Sequence, residues 1–176
     1  RIDLRMFPES LIQIGLGYSR TFQYVNRLSF SNVLSSDVWI LADDENPPTH
    51  MDQMLAGIYM EKDGHYVHLE GYEKQFDHLR LHEIDLFALN NVFRESPWFS
   101  DNKGYSRGVE LLYSYSDKKI NISQSVTLSK TELQNDAINA GESFAAEWDR
   151  RWQYSGMLSY SVMSGLLIRI SQFLAT

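Results

Sequence analysis

Hydrophobic positions recur at every second residue through most of this chain, the signature of strands with two unlike faces. The clearest stretch runs from Gly104 to Gln134. Val109, Leu111, Tyr113 and Tyr115 fall on one face, and Ser106, Gly108, Glu110 and Ser114 on the other. A polar tetrapeptide, Ser116-Asp117-Lys118-Lys119, reverses the chain, and Ile120, Ile122, Val126 and Leu128 resume the apolar face. Asn121, Ser123, Ser125, Thr127 and Ser129 resume the other. The pattern predicts a β-hairpin that is apolar on one side and wet on the other. Its wet side carries hydroxyls and a carboxylate instead of the Lys and Glu mixture of a solvated surface. That suits a barrel wall between lipid and an aqueous lumen. A soluble β-sandwich also alternates, so periodicity leaves both readings open.

The same rhythm extends in both directions. Ile2, Leu4 and Met6 alternate with Asp3 and Arg5 before a turn at Phe7-Pro8-Glu9-Ser10. The next strand, Leu11 to Arg20, sets Ile12, Ile14, Leu16 and Tyr18 against Gln13, Gly15, Gly17 and Ser19. A face so thin and polar fits a lumen wall, or a place where another body approaches the backbone. Strands follow at 50–60 and 66–76, around a turn at Glu61-Lys62-Asp63-Gly64-His65. In the first of these, Met54, Ala56 and Ile58 compete with Leu55, Gly57 and Tyr59 for the apolar face. In the second, Glu70, Tyr72 and Lys74 share a face. The last pair covers 153–161 and 166–174, with a turn near Met163-Ser164-Gly165. Between strands the connections are unequal: a few residues near Phe7, Lys62, Asp117 and Ser164, but long stretches over 22–50, 77–103 and 132–151. Short turns at one end and long loops at the other are the habit of outer-membrane barrels. The expected fold is all-β: one antiparallel meander over residues 1–176, a partial, open transmembrane β-barrel of about eight strands. Its first and last strands should be unpaired edges, and the sequence reads as an internal fragment of a longer protein.

Composition narrows the partners. Hydrophobic residues make up 43% and aromatics 13%, with ten Tyr; mean hydropathy is −0.35. No apolar run reaches the ~18 residues of a helical span, whereas alternation hides strand spans from any window average. A net charge of −7 argues against nucleic acid as a partner. With no cysteine, there is neither a disulfide framework nor thiolate chemistry.

Several residues carry candidate chemistry. Trp39, Trp98 and Phe99 fall in long connections, where aromatic rings could stack on a ligand or simply pack the loops together. Asp149 and Arg150, followed by Arg151, could grip an anionic ligand, or form a salt-bridged junction between loop and strand. Glu70 and Glu110 could form an acid/base pair, although lumen-facing polar groups are the simpler reading; Ser123, Ser125 and Thr127 join them as lumen-facing residues. His78, His82 and Glu83 lack a further ligand at metal spacing, so neither metal nor cofactor is expected. His50, His65 and His68 read as turn or lumen residues. Tyr18, Tyr59, Tyr113, Tyr115, Tyr154 and Tyr160 read as an interfacial belt.

Certain runs are more specific. YSRTFQYVNRLS (Tyr18 to Ser29) precedes SSDVWILADDENPPTHMDQMLAGIY (Ser35 to Tyr59). HLEGYEKQFDHL (His68 to Leu79), GYSRGVELLYSY from Gly104, SVTLSKTE from Ser125 and FAAEWDRRWQ (Phe144 to Gln153) follow in order. Together they resemble the barrel of TonB-dependent outer-membrane receptors. Trp152, Ala145 and Glu73 depart from that family's usual His, Pro and second Tyr. The resemblance implies a barrel of about 22 strands closed by an N-terminal plug domain. It also implies a periplasmic TonB energising complex as partner, outer-membrane lipid of a Gram-negative cell outside, and no enzymatic activity. The imported ligand, a small molecule or an oligomer, would be an iron chelate, vitamin, glycan or peptide. Two other readings stay open: a soluble β-sandwich module binding a ligand or carbohydrate, and a passive porin or adhesin barrel.

Overall fold

The computed structural model describes residues 1–7, 9–28, 38–44, 47–82, 98–136 and 139–176. The strands are β1 (Ile2–Met6), β2 (Ile12–Gln23), β3 (Val25–Leu28), β4 (Val38–Leu41), β5 (Thr49–Lys62) and β6 (His65–His82). They continue as β7 (Trp98–Ser116), β8 (Ile120–Gln134), β9 (Phe144–Ala145), β10 (Trp152–Met163) and β11 (Leu166–Ala175). Among the described residues the only helical element is a 3₁₀ turn, Asn139–Gly141.

One antiparallel sheet runs β1-β2-β5-β6-β7-β8-β10-β11, with β9 added beside β8, while β3 and β4 form a separate hairpin. The meander is open: β1 and β11 are its two edges. Each long strand pairs with the next one in the chain, as local connections favour. The four tight turns therefore lie at one end, and the connections β2–β5, β6–β7 and β8–β10 at the other. The turns have chemical causes. Asp63 and Gly64 both take positive φ, 51° and 81°, the backbone of a two-residue type I′ hairpin. A side chain at Gly64 would also meet the Ser116 carbonyl oxygen at 2.6 Å. At the other hairpin, Asp117 Oδ1 accepts the backbone N–H groups of Lys119 and Ile120, at 2.7 and 2.6 Å.

Register sorts side chains into rows, since paired residues share a face. One row reads Leu4, Leu16, Ala56, Gly71, Val109, Leu128 and Trp152. The next, toward the turns, reads Met6, Ile14, Ile58, Leu69, Leu111, Val126, Tyr154 and Leu174. Nothing in the described residues packs on this face: Leu4 is 53% exposed, Met54 63%, Leu128 57% and Ile170 63%. Only Leu133 and Ala146 are buried hydrophobic residues among those described. The second sheet that a sandwich would lay on these side chains is absent among the described residues.

The expectations for the long connections and for one Tyr need correcting. The stretch 22–50 includes the end of β2 and the paired hairpin β3–β4, and 132–151 includes the end of β8 and the short β9. The stretch 77–103 is not all connection: β6 runs on to His82 and β7 already begins at Trp98. Register shifts at Phe76/Leu79 and Leu79/Leu81 break the alternation there, so the strand was hidden from a period-two reading. Tyr59 does not join an apolar-face belt. It shares the polar face with Gln13 and His68, its partners in register.

Candidate functional site

The polar face is built row by row. Arg5, Gly15, Gly57, Glu70, Glu110, Thr127 and Gln153 follow one another across seven strands. The neighbouring row holds Gln13, Tyr59, His68, Leu112, Ser125 and Ser155, and the one after it Tyr66, Ser114, Ser123 and Met157. Glu70, Glu110, Ser123, Ser125 and Thr127 thus share one face, opposite Val109, Leu111, Tyr113, Ile122, Val126 and Leu128.

On the β1–β6 half, rings and charges are stacked over glycines. The Arg5 guanidinium lies 5.6 Å from the Tyr59 ring centre. Tyr59 in turn stacks on His68 at 4.2 Å and 13°. A Cβ on Gly15 would come within 2.8 Å of the Tyr59 ring, and one on Gly57 within 3.2 Å of His68 Nε2. These glycines are the space into which the rings lie. His68 Nε2 is 3.5 Å from Glu70 Oε2, and Glu70 stands directly opposite Glu110. Like charges in that position repel. Further up, Tyr72 lies over Gly108, where a Cβ would meet it at 2.8 Å. The Lys74 ammonium sits 4.8 Å from the Tyr72 ring centre. The β7–β10 half is lined by hydroxyls, with Ser106 Oγ and Thr131 Oγ1 3.0 Å apart.

The apolar face ends abruptly toward the long connections. Above it lies a row of Tyr18, Met54, Glu73, Arg107 and Lys130, then one of Arg20, Asp52, Gln75, Tyr105 and Glu132. Arg20 grips Asp52 through Nε and Nη2 at 2.7 and 2.6 Å, and Tyr18 donates its hydroxyl to the same carboxylate at 2.5 Å. Tyr113 contacts His65 Nδ1 at 3.0 Å, and Tyr115 donates to Asp117 at 3.1 Å. Tyr18, Tyr113, Tyr115, Tyr154 and Tyr160 all project from this face by register.

The candidate ligand residues are spread over several elements. Trp39 is in β4, 64% exposed. Trp98 and Phe99 open β7, paired with His82 and Leu81; their side chains lie outside the described residues. Asp149 is engaged in the fold: its side chain is 6% exposed, accepts the Thr131 N–H at 2.7 Å and pairs with Arg151 at 2.7 Å. Arg150 is exposed, with Nη1 donating to Gln153 Oε1 at 3.3 Å. His82 and Glu83 lie outside the side chains described, and no group of three metal-type ligands occurs among the described residues.

Sequence reasoning missed three arrangements: the Arg5–Tyr59–His68 stack, the Arg20–Asp52–Tyr18 cluster, and a buried pair at the loop end. In that pair Asn102, wholly buried, donates to Leu79 O at 2.7 Å and receives the Asn135 amide. All three depend on cross-strand register, and only the glycines opposite aromatics left a trace in the sequence. No family model and no curated protein matches the chain.

Proposed function

We propose that this chain forms part of the wall of a TonB-dependent transporter in the outer membrane of a Gram-negative cell. In that role, lipid covers the apolar face and a plug domain lies against the polar face. The TonB complex energises import of a scarce ligand, and no covalent bond is made or broken. The observation that carries the reading is the single apolar face, exposed on all eight strands of the meander and bounded by charge on one side. From Val109 to Tyr115 on β7 and from Ile120 to Leu128 on β8, that face spans roughly 20–27 Å along the strand, before tilt. This is comparable with the ~25 Å apolar band of outer-membrane barrels. A soluble monomer rarely exposes contiguous apolar surface beyond a few hundred Å². The open edges at β1 and β11 support continuation into further strands, because unpaired edges invite pairing. The ordered motif runs from Tyr18 to Gln153 supply the family resemblance.

These 176 residues contain no cysteine, so a cysteine introduced here is unique within them. Spin labels at single cysteines replacing Leu111, Val126 or Ile170 in the full-length protein should be relaxed by oxygen, which partitions into lipid. Labels at Ser125 and Thr127 should instead respond to a water-soluble nickel chelate. Ligand uptake should stop when the inner membrane is de-energised. Nickel access at the outward sites would sink the membrane reading, and uptake indifferent to energisation would leave a passive barrel.

A further inference from the structure

The outward face is not uniformly apolar. Across β7, β8, β10 and β11 one central row is Leu111, Val126, Tyr154 and Leu174, and the next toward the turns is Tyr113, Gln124, Gly156 and Gln172. The row after that is Tyr115, Ile122, Leu158 and Ile170. Two amides, Gln124 and Gln172, therefore share the middle row with apolar side chains on either side. Gln124 accepts the Tyr154 hydroxyl through Oε1. Its Nε2 hydrogens, and the whole Gln172 amide, make no hydrogen bond among the described residues. In hydrocarbon, an amide without a partner is costly. Gln124 also sits mid-way along its strand. Ile120 and Ile122 continue the apolar face toward the turn, and Val126 and Leu128 continue it the other way, roughly 13 Å along the strand to each side. The side chain is too short to reach water past either end.

Gly156 shapes the surface beside it. A Cβ there would stand 2.5 Å from the Tyr154 hydroxyl oxygen and 3.2 Å from Gln124 Oε1. Without one, Tyr154 lies over the backbone and reaches Gln124. The wall is low at this point, and a second wall can come close. Small residues and hydrogen-bonding side chains are what hold membrane segments together. The chemistry of the strip selects the occupant. It carries no charge, and an amide is its own complement, with donors on nitrogen and a second acceptor lone pair on oxygen. A two-fold axis along the membrane normal preserves depth, so Gln124 of one copy stands level with Gln124 of the other. Near such an axis, each residue meets itself. We infer that a second copy of this chain docks on the outward face of β8–β11, with the two Gln124 amides paired across the axis. Ile122 and Leu158, partners in register, supply its apolar rim, and Gln172 extends the polar strip beyond Gly156. The inference rests on the outward face meeting lipid, as proposed above, because only there does an unpaired amide demand a partner.

The test uses the full-length protein, labelled with donor and acceptor dyes, in vesicles of outer-membrane lipid. Energy transfer at rising lipid-to-protein ratio measures dimerisation. Gln124→Leu keeps the bulk and removes the amide, and should weaken dimerisation roughly three- to twentyfold, the range of one hydrogen bond between membrane segments. A second measurement leaves Gln124 in place and stands should that variant fail to assemble. A spin label on a cysteine replacing Ile122 should couple to its counterpart and lose the coupling on dilution with unlabelled chain. A label replacing Ile58, on β5, should not couple. Monomers at every dilution, unchanged dimerisation in Gln124→Leu, or coupling at Ile58 instead of Ile122 would each overturn the proposal. So would a photocrosslinker at Ile122 that captures a different protein in whole cells. The label at Leu111 separates the two failures. Oxygen access there with monomers throughout removes only the dimer, whereas nickel access there removes the membrane reading beneath it.

Discussion

The two faces of one hairpin, β7–β8, follow different rules. Outward, Val109, Leu111, Val126 and Leu128 stand exposed with nothing among the described residues packed on them. On the reverse face, a few ångströms away through the same backbone, are Glu110, Ser123, Ser125 and Thr127. In a soluble sheet the apolar side is covered by a second layer and the charged side faces water. Here both sides are uncovered among the described residues, and the wet side carries small hydroxyls and opposed carboxylates in place of a solvated charge mixture. The difference teaches that the two faces of one sheet make separate demands, which the membrane reading proposed above meets with two media. In that proposal lipid covers the outer face, and a polar body lies against the face where Glu70 stands opposite Glu110.

The largest effect should come from moving a charge between the faces. Val126→Arg puts a guanidinium mid-way along the apolar face, a cost of about 2–4 kcal/mol at the midplane of a lipid band. Ser125→Arg, one residue away on the polar side, avoids that cost. Assembly judged by heat-modifiable migration should be impaired in the first and nearly normal in the second. Equal damage would erase the contrast between the faces.

A smaller effect sharpens the polar face itself. Tyr72 occupies the space above Gly108, with its ring within 2.8 Å of where a Cβ would stand. Gly108→Val must displace that ring and also press on the Leu128 carbonyl oxygen, which a Cβ would meet at 2.8 Å; overpacking of this kind costs about 1–3 kcal/mol. Pairing it with Tyr72→Ala should recover part of the loss, because the clash with the ring is then gone while that with the Leu128 carbonyl stays. If Gly108→Val lowers stability by the same amount with and without Tyr72→Ala, the ring does not fill the glycine's space.

Much of this was legible in the sequence. Alternation sorts faces without any knowledge of register, so the sides of Val109 and Glu110 could be read directly, as could the short turns at Asp63-Gly64 and Asp117. Where both parities are apolar, as at Met54–Tyr59, alternation is silent. Only pairing Gly57 with Gly15 puts Tyr59 on the polar side, its ring filling the space over the glycines. Bulges hid the upper parts of β6 and β7, and with them the strand positions of Trp98 and Phe99. Asp149 looked available for a ligand, because its bond to the Thr131 N–H spans a chain reversal that spacing cannot reveal.

Among the candidate ligand residues whose side chains are described, Trp39 has the exposed ring that suits stacking. Trp39→Ala should weaken ligand binding roughly two- to tenfold, from ~0.5–1.5 kcal/mol of lost aromatic contact. Barrel assembly should stay normal. Asp149→Ala should do the reverse, lowering stability through the Thr131 N–H while sparing affinity. A titration showing unchanged affinity in the Trp39 variant would detach the β3–β4 hairpin from the binding site.

The smallest expected effect lies in the turn joining β7 and β8. Asp117 is held below the usual carboxylate range, chiefly by the Ile120 and Lys119 N–H groups, and also by the Tyr115 hydroxyl and the Lys119 charge. Its folded pKa is therefore lower than its unfolded one. A depressed pKa contributes stability that is present above the unfolded value, near 3.8, and is lost as pH falls through the folded value. Asp117→Asn keeps an oxygen for both N–H groups and removes only the charge. Urea unfolding followed by tryptophan fluorescence should place the variant slightly below the parent at neutral pH. The two should converge as pH falls below the ordinary Asp range, because protonation makes the parent resemble the variant. Other carboxylates titrate in both proteins, so the difference between the curves isolates this turn. A gap that persists unchanged at low pH would mean that the charge of Asp117 contributes nothing, and that the oxygen alone sets the reversal from β7 to β8.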